Sequence, residues 1–268
     1  MKKLLLLILF FLVCPRIFSQ ISWLSSLPHG QVISHSTGKL LLIDFYADWC
    51  GPCKMMDRDL WDDDEMDTLV NYFIPVRIDI DYNRSLATKY SVKGIPKVII
   101  ALSNGDVVWE MMGYSGKSEY LQVLRSLPVN LNELFELAVA LSGKDPDTYL
   151  QTGIVLQKTG KNITNPGLKD AFLLLAHEKF RFSEKQTKDL KIQQKAQLYS
   201  ILVDVTRGSY KKAQKGIEKG TFDQNDPEIA DLVHYILAGC YKGLKDDQNY
   251  LREKGLIINE DFLTELRE

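Results

Sequence analysis

Residues 39–54 read KLLLIDFYADWCGPCK and contain the strongest structural signals of the chain. Its first part, residues 39–47, is apolar at almost every position, which is typical of a strand buried on both faces. The strand runs directly into a Cys-Gly-Pro-Cys motif at residues 50–53. Residues 52–60 fit a helix, because proline suits a first helical turn, where its missing N–H is not needed. The stretch therefore predicts two cysteines at the junction of a buried strand and a helix.

Further elements follow this junction. The strand over 73–81 places four β-branched residues on one face, and Asn104-Gly105 is a strong hairpin turn between two later strands. The predicted elements, in chain order, are helix 63–72, strand 73–81, helix 83–90, strand 97–102, strand 107–112 and helix 117–127. Strand–helix alternation that ends in a hairpin predicts a mixed sheet with helices on its faces. Residues 20–36 are predicted to be a linker or a leading helix.

The second half of the chain has a different pattern. From residue 129 onward no convincing strand is found, and helical patterns are separated by Gly, Asn-Pro and Asp-Pro breaks. Helices are predicted over 131–142, 146–159, 167–181, 184–207, 209–219, 226–242, 245–254 and 259–267. We therefore expect an all-α domain of helical hairpins over 129–268. Paired helices suggest a tetratricopeptide-like solenoid, although few large consensus residues of that repeat are present.

The N-terminus is typical of an exported protein. Lys2 and Lys3 precede an apolar run over 4–13, and small residues follow, so residues 1–19 are predicted to be a cleaved signal peptide. A membrane span needs about 20 apolar residues, which makes this run short. The expected location is periplasmic or secreted. The alternatives are an anchor formed by an uncleaved N-terminus and lipid attachment at Cys14.

The charge balance excludes some partners. The chain has 33 basic and 35 acidic residues. Loss of residues 1–19 would remove three basic residues and no acid, which leaves a net charge of -5. A mildly acidic protein has no electrostatic reason to bind nucleic acid or anionic lipid, and we predict neither.

Three cysteines remain beyond the predicted signal peptide: Cys50, Cys53 and Cys240. A close pair and a distant single cysteine indicate a redox pair with a bystander, and Cys240 is predicted to be a buried thiol in an apolar helix. A zinc site needs more ligands at suitable spacing than the chain offers, and the acidic run over 62–65 suits a helix start. We therefore expect no metal and no cofactor.

The position of the motif explains its predicted chemistry. Cys50 falls at the N-cap of a helix, where free backbone N–H groups and the helix dipole favour a thiolate over a thiol. We expect Cys50 to be exposed and to attack a substrate disulfide, forming a mixed disulfide. Cys53, expected to be more buried, then attacks the Cys50 sulfur. Gly51-Pro52 fixes the turn so that both sulfurs lie within bonding reach.

Residues 42–54 resemble the active-site segment of the thioredoxin family almost position for position, and residues 94–96, Gly-Ile-Pro, match the loop that carries its cis-proline. The resemblance covers residues 37–128 and implies a thioredoxin fold with protein-disulfide oxidoreductase activity. It implies that Pro96 is cis and that the Ile95 backbone binds an extended substrate. It also implies that Asp44 is a buried acid that transfers a proton for Cys53.

The resemblance also suggests a substrate surface. Trp49 matches a residue whose role is either structural packing or substrate contact, and Gly113 matches a glycine near the substrate groove. With these two residues, the predicted substrate-binding set is Trp49, Gly51, Pro52, Ile95, Pro96 and Gly113.

Two positions depart from the family pattern. Arg58 stands where small thioredoxins have a helix-kinking proline, and the stretch over 57–66 is longer. These features are more similar to the C-terminal thioredoxin domain of the periplasmic disulfide-reducing transmembrane protein. Arg77 replaces the lysine expected near the buried acid, which leaves the pKa of Asp44 open.

A Gly-Pro dipeptide between the cysteines resembles reducing members of the family, so we expect disulfides of exported proteins as substrates. The chain has no nicotinamide or flavin motif, so it needs an electron donor. A thiol-transfer protein in the membrane is the natural hypothesis. Two alternatives remain open: a protein whose helical half mainly binds a client or partner, and a disulfide isomerase.

Overall fold

The computed structural model describes residues 21–141 and 144–267. The predicted signal peptide over residues 1–19 lies outside these ranges, so its cleavage stays a prediction. None of the helices within the described ranges combines the length and apolarity that a membrane crossing requires.

A four-stranded sheet organises the first half of the chain. Its strands are β1 Leu40–Tyr46, β2 Phe73–Asp79, β3 Lys97–Ala101 and β4 Val107–Met112. They lie in the order β2-β1-β3-β4. β1 pairs parallel to β2 and antiparallel to β3, and β3 pairs antiparallel to β4. The predicted mixed sheet is therefore confirmed. β1, the strand that leads into the cysteine motif, is one of its two inner strands.

Helices flank this sheet. They are α1 Leu27–Thr37, α2 Gly51–Met56, α3 Met66–Leu69, α4 Arg84–Lys89 and α5 Ser118–Leu124. The leading segment is thus a helix rather than a linker. Its N-cap Ser26 accepts a hydrogen bond from the His29 N–H, and it ends at Gly38, whose φ of 66° favours glycine.

Two predicted helices have other bounds than expected. The helix predicted over 52–60 is α-helical only to Met56 and continues as a π-helical turn, Asp57–Trp61. The helix predicted over 63–72 begins at Met66, because the Asp63 carboxylate accepts the Glu65 N–H in a tight turn. The acidic run therefore forms a turn between two helices rather than the first turn of one.

The second half is helical throughout its described part. Its helices are α6 Asn132–Ala140, α7 Pro146–Lys161, α8 Pro166–Gln186, α9 Leu190–Thr206, α10 Tyr210–Lys219, α11 Pro227–Leu244, α12 Asp247–Lys254 and α13 Glu260–Glu265. Asp145, Asn165 and Asp226 cap helices that begin with proline, as their Asp-Pro and Asn-Pro pairs suggested. The all-α prediction is confirmed, and the tetratricopeptide-like repeat stays a prediction.

Side chains of β1 alternate between two apolar clusters. Leu41, Ile43 and Phe45 belong to a cluster with α1 and β2. Leu40 and Leu42 belong to a larger cluster that includes Met56, Leu60 and Trp61, which follow the cysteine motif. Because strand side chains alternate with period two, Asp44 lies on the same face as Leu40 and Leu42. Asp44, the acid of β1, therefore lies on the face of the sheet that packs against the larger cluster.

The two halves share this larger cluster. It continues into the helical half through Phe172 and Phe180 of α8. Lys179 of α8, which is 8% exposed at its side chain, also pairs with Asp106 in the β3–β4 turn at 2.9 Å. The domain boundary predicted at residues 128 and 129 stays a prediction, but the core does not end there.

Candidate active site

The two cysteines lie at the start of α2. The Cys50 sulfur accepts a hydrogen bond from the Cys53 backbone N–H at 3.1 Å, so Cys50 is the N-cap. The two sulfurs form a disulfide, with 5.3 Å between the Cα atoms. The turn predicted for the Gly-Pro pair therefore does bring the sulfurs together.

The expected exposure of Cys50 is wrong for this disulfide form. Cys50 and Cys53 are each 3% exposed. The reason is that the Cys50 sulfur points inward, bonded to the Cys53 sulfur and to the helix start. Gly51 and Pro52, in contrast, are exposed, and apart from its chain neighbours and its own helix no atom of residues 21–141 or 144–267 lies within 4 Å of a Cβ placed on Gly51. The motif thus presents its central dipeptide to solvent and shields its sulfurs.

Helix geometry is the physical reason to expect that reduced Cys50 is a nucleophile. The N–H groups of the first helical turn have no partner within the helix, and the dipole places partial positive charge there. A thiolate at the N-cap accepts the Cys53 N–H that the sulfur already accepts in the disulfide. The expected acidity of Cys50 therefore rests on its position at the helix start.

Asp44 is a buried acid on β1. Its exposure is 1%, and loss of solvation raises the pKa of its carboxyl from 3.8 to about 7. The Arg77 charge acts in the opposite direction, and the nearby Asp57 carboxylate adds to the increase. A carboxyl with this pKa can both accept and return a proton near neutral pH.

Arg77 connects Asp44 to the helix after the motif. Its Nε lies 3.2 Å from Asp44 Oδ2, and its terminal nitrogen donates a 2.6 Å hydrogen bond to Asp57 Oδ1. The guanidinium also lies over the Tyr46 ring, 4.1 Å from its centroid. Arg77 therefore does occupy the place beside the buried acid. Burial nevertheless outweighs its charge in setting the pKa of Asp44.

Sequence reasoning missed Asp57. This residue follows Cys53 by four positions, which places both on one helix face. The sequence signal that could have identified Asp57 is its position on the same helix face as Cys53. It could not reveal the partner, because Arg77 comes from β2 and only the fold brings it there.

The loop before β3 contributes a second part of the site. The Ile95–Pro96 peptide is cis, as the resemblance implied. The Gly113 N–H donates to the Pro96 carbonyl at 2.7 Å, and Gly113 has a φ of 87°, which favours glycine. Ile95 and Gly113 are partly exposed. The structure therefore joins Pro96 and Gly113, while their contacts with substrate stay predictions.

Trp49 does not pack in the core. Its side chain is 67% exposed, and its indole N–H donates to the Asp81 carboxylate at 2.9 Å. The packing interpretation is therefore wrong. A large aromatic ring held in solvent directly before Cys50 suits the other interpretation, contact with substrate, which stays a prediction.

Cys240 is separate from this site. It is fully buried in α11, and burial raises the pKa of its thiol to about 11. Such a thiol is protonated and shielded, so the predicted bystander is confirmed as a buried cysteine.

Together these features define a class of protein. A dithiol and disulfide pair caps a helix, a buried acid lies on the adjacent strand, and a cis-proline loop ends beside the same sheet. This is the arrangement of a thiol–disulfide oxidoreductase, which exchanges electrons through a pair of cysteines.

Comparison with known proteins identifies the family. Residues 24–126 match the family model described as Thioredoxin. Thioredoxin of Bacillus subtilis strain 168 is 42% identical over 86 residues, which are 32% of this chain and 78% of that protein. The chain belongs to the thioredoxin family.

Two other matches have different coverage. The bifunctional thioredoxin reductase/thioredoxin of Mycobacterium leprae strain TN is 34% identical over 97 residues. Those residues are 36% of this chain and 20% of that protein, so the chain spans about a fifth of that relative. The oxidised C-terminal domain of Neisseria meningitidis DsbD is 21% identical, with a TM-score of 0.36. That match covers 40% of this chain and all of the domain.

Proposed function

We propose that this thioredoxin-family oxidoreductase reduces disulfides of exported proteins. The observation that carries the proposal is the Cys50 sulfur at a helix N-cap, bonded to Cys53 and followed by a solvent-exposed Gly-Pro dipeptide. The export part is supported by the basic start and the apolar run over residues 4–13.

The first step is attack by the Cys50 thiolate on one sulfur of a substrate disulfide. A bond forms between that sulfur and Cys50, and the substrate disulfide breaks. The other substrate sulfur leaves as a thiolate and takes a proton from solvent. In this proposal, the exposed ring of Trp49 and the backbone of Ile95 contact the substrate during this step.

The second step releases the substrate. Asp44 accepts the proton of the Cys53 thiol, and the resulting thiolate attacks the Cys50 sulfur. The Cys50–Cys53 disulfide forms, and the second substrate sulfur leaves as a thiolate that takes up a proton. The substrate has gained two electrons and two protons, and the dithiol has been oxidised. A pKa of about 7 suits Asp44 to this exchange near neutral pH.

Each cycle leaves the protein oxidised, so a dithiol donor must restore it. We propose a thiol-transfer protein of the membrane, because an exported protein has no access to a cytoplasmic reductant. The donor reduces Cys50–Cys53 by the same two exchange steps and becomes a disulfide itself.

Insulin reduction with dithiothreitol tests the activity. The wild type is expected to accelerate precipitation of the insulin chains, and Cys50→Ser is expected to show only the background rate. Equal rates for the two proteins would contradict the proposal and would support a protein that binds clients without redox chemistry.

Direction needs a second measurement. Titration of Cys50–Cys53 against glutathione is expected to give a reducing potential of about -270 mV, in the range of thioredoxin. A value near that of strong oxidases, about -120 mV, would reverse the proposed direction. Reactivation of scrambled ribonuclease without net reduction would instead favour an isomerase.

A further inference from the structure

The helical half contains a cavity of about 430 Å³ between α7, α8, α9, α11 and α13. Its wall is largely apolar and includes Ile154, Leu202, Val205, Phe262 and Leu266. This size lies within the range of about 300–1,000 Å³ that is typical of small-molecule sites. No residue of the redox site lines the cavity, so its role is independent of the proposed function.

Four lysines surround this cavity: Lys158, Lys161, Lys169 and Lys242. We call it the lysine-rimmed pocket. Glu265 is the single acid among its described lining residues, in a chain whose net charge is -2. Lys158 and Lys169 form no ion pair within the described ranges. The rim therefore carries positive charge that is available to an anion.

Gln157 adds a buried polar group. This residue lines the pocket and is 6% exposed. Its side-chain nitrogen is buried and has no hydrogen-bond partner in the described part of the chain. Buried amide groups are nearly always hydrogen bonded, because an unsatisfied group loses its interaction with water without replacement. An acceptor atom supplied by a ligand would satisfy it.

The chain itself shows which chemistry this site accommodates. The Glu265 carboxylate of α13 accepts hydrogen bonds from Lys161 at 3.0 Å and from the Tyr235 hydroxyl at 2.8 Å. The apolar side chains Phe262 and Leu266 of the same segment line the pocket beside it. One carboxylate next to apolar groups is thus already held here. Lys158 and Lys169 line the same pocket and form no ion pair within the described ranges.

We propose that the lysine-rimmed pocket binds an amphipathic monocarboxylate, a molecule with one carboxylate on an apolar chain. The apolar chain lies against Leu202 and Val205, and the carboxylate accepts from Lys158 and Lys169. The Gln157 amide nitrogen donates to the same carboxylate. Burial of the apolar chain supplies affinity, and the lysines select for negative charge.

Isothermal titration of the full chain with dodecanoate, below its critical micelle concentration, tests the proposal. We expect one molecule bound per chain. The affinity for dodecanol is expected to be lower by a factor of about ten or more, because the alcohol cannot form the charge-assisted hydrogen bonds. Dodecyltrimethylammonium is expected not to bind. Absence of dodecanoate binding, or equal affinity for the alcohol or the cation, overturns the proposal.

Two variants locate the site. Lys158→Gln with Lys169→Gln is expected to weaken dodecanoate binding about tenfold or more. The matched control is Lys188→Gln with Lys211→Gln, two exposed lysines outside the pocket, which is expected to keep wild-type affinity. Unchanged affinity in the first pair, or an equal loss in both pairs, contradicts the assignment.

A third variant separates the pocket from surface charge. Leu202→Trp places a larger side chain in the cavity and is expected to abolish binding while all four rim lysines remain. Circular dichroism and the melting temperature establish that each variant is folded. Retained binding in a folded Leu202→Trp protein would mean that dodecanoate binds elsewhere and would overturn the proposal.

Discussion

The guanidinium Nε of Arg77 lies 3.2 Å from the buried Oδ2 of Asp44. Arg77 is thus the cation that opposes the effect of burial on the Asp44 carboxyl. Arg77→Met removes this charge and leaves Asp57 nearby, so we expect the pKa of Asp44 to rise above about 7, by about one unit or more. The second exchange step should then shift to higher pH, as measured by single-turnover release of reduced substrate across roughly pH 5–9.

Arg77→Lys is the matched control for this prediction. It keeps the positive charge and loses the planar group that reaches Asp44 and Asp57 together. The pH profile of this variant should lie closer to that of the wild type than to that of Arg77→Met. Identical profiles in all three proteins would show that Arg77 does not act on Asp44.

Asp44 should lower stability at neutral pH. Its pKa is raised in the folded state, so between about pH 4 and pH 7 the folded protein binds more protons than the unfolded chain. The unfolding free energy of the wild type therefore decreases as pH rises through that window. At pH 8 the unfolding free energy of Asp44→Asn, measured by urea denaturation, should exceed that of the wild type by about 2–4 kcal/mol. Near pH 4 the two proteins should differ little.

The pH dependence is the critical part of that measurement. The difference in unfolding free energy between Asp44→Asn and the oxidised wild type should grow up to about pH 7 and then level off. A difference that is the same at pH 4 and pH 8 would mean that the carboxyl of Asp44 does not titrate in this window.

Trp49 should act on substrate rather than on stability. Its ring is 67% exposed, so Trp49→Ala removes little buried surface, and we expect a change in unfolding free energy below about 0.5 kcal/mol. In the insulin assay, KM should rise about fivefold, because an exposed aromatic contact is worth about 1 kcal/mol. Leu190→Ala, at a residue 70% exposed in the helical half, should leave KM unchanged. A destabilised Trp49→Ala protein with wild-type KM would contradict the substrate role.

Gly153 allows α7 to approach α8. A Cβ at this position would overlap with ring carbons of Phe180, which is fully buried. Gly153→Ala should therefore lower the unfolding free energy by about 1–3 kcal/mol, measured by urea denaturation. Gly167→Ala is the control, because its Cβ would meet only Asn165 Oδ1 at 3.4 Å. A stable Gly153→Ala protein would mean that the helices repack without cost.

Local chemistry determined much of this fold. Apolar residues over 39–47 required a buried strand, the Asp-Pro and Asn-Pro pairs marked helix starts, and Asn104-Gly105 marked a turn. These signals act between residues close in the chain, where caps and backbone conformations depend on neighbours. For this reason the order of the elements and the place of both cysteines follow from the amino-acid sequence alone.

Long-range packing decided the remaining features. The exposure of Trp49 and the ion pair between Arg77 and Asp57 depend on chain segments that are distant in sequence. The same holds for the lysine-rimmed pocket, to which five different helices contribute. The position of the cysteine pair could therefore be located from the order of residues alone. The burial of each side chain and the charges around it depend on the folded chain, because solvation and electrostatic energies depend on distances in space.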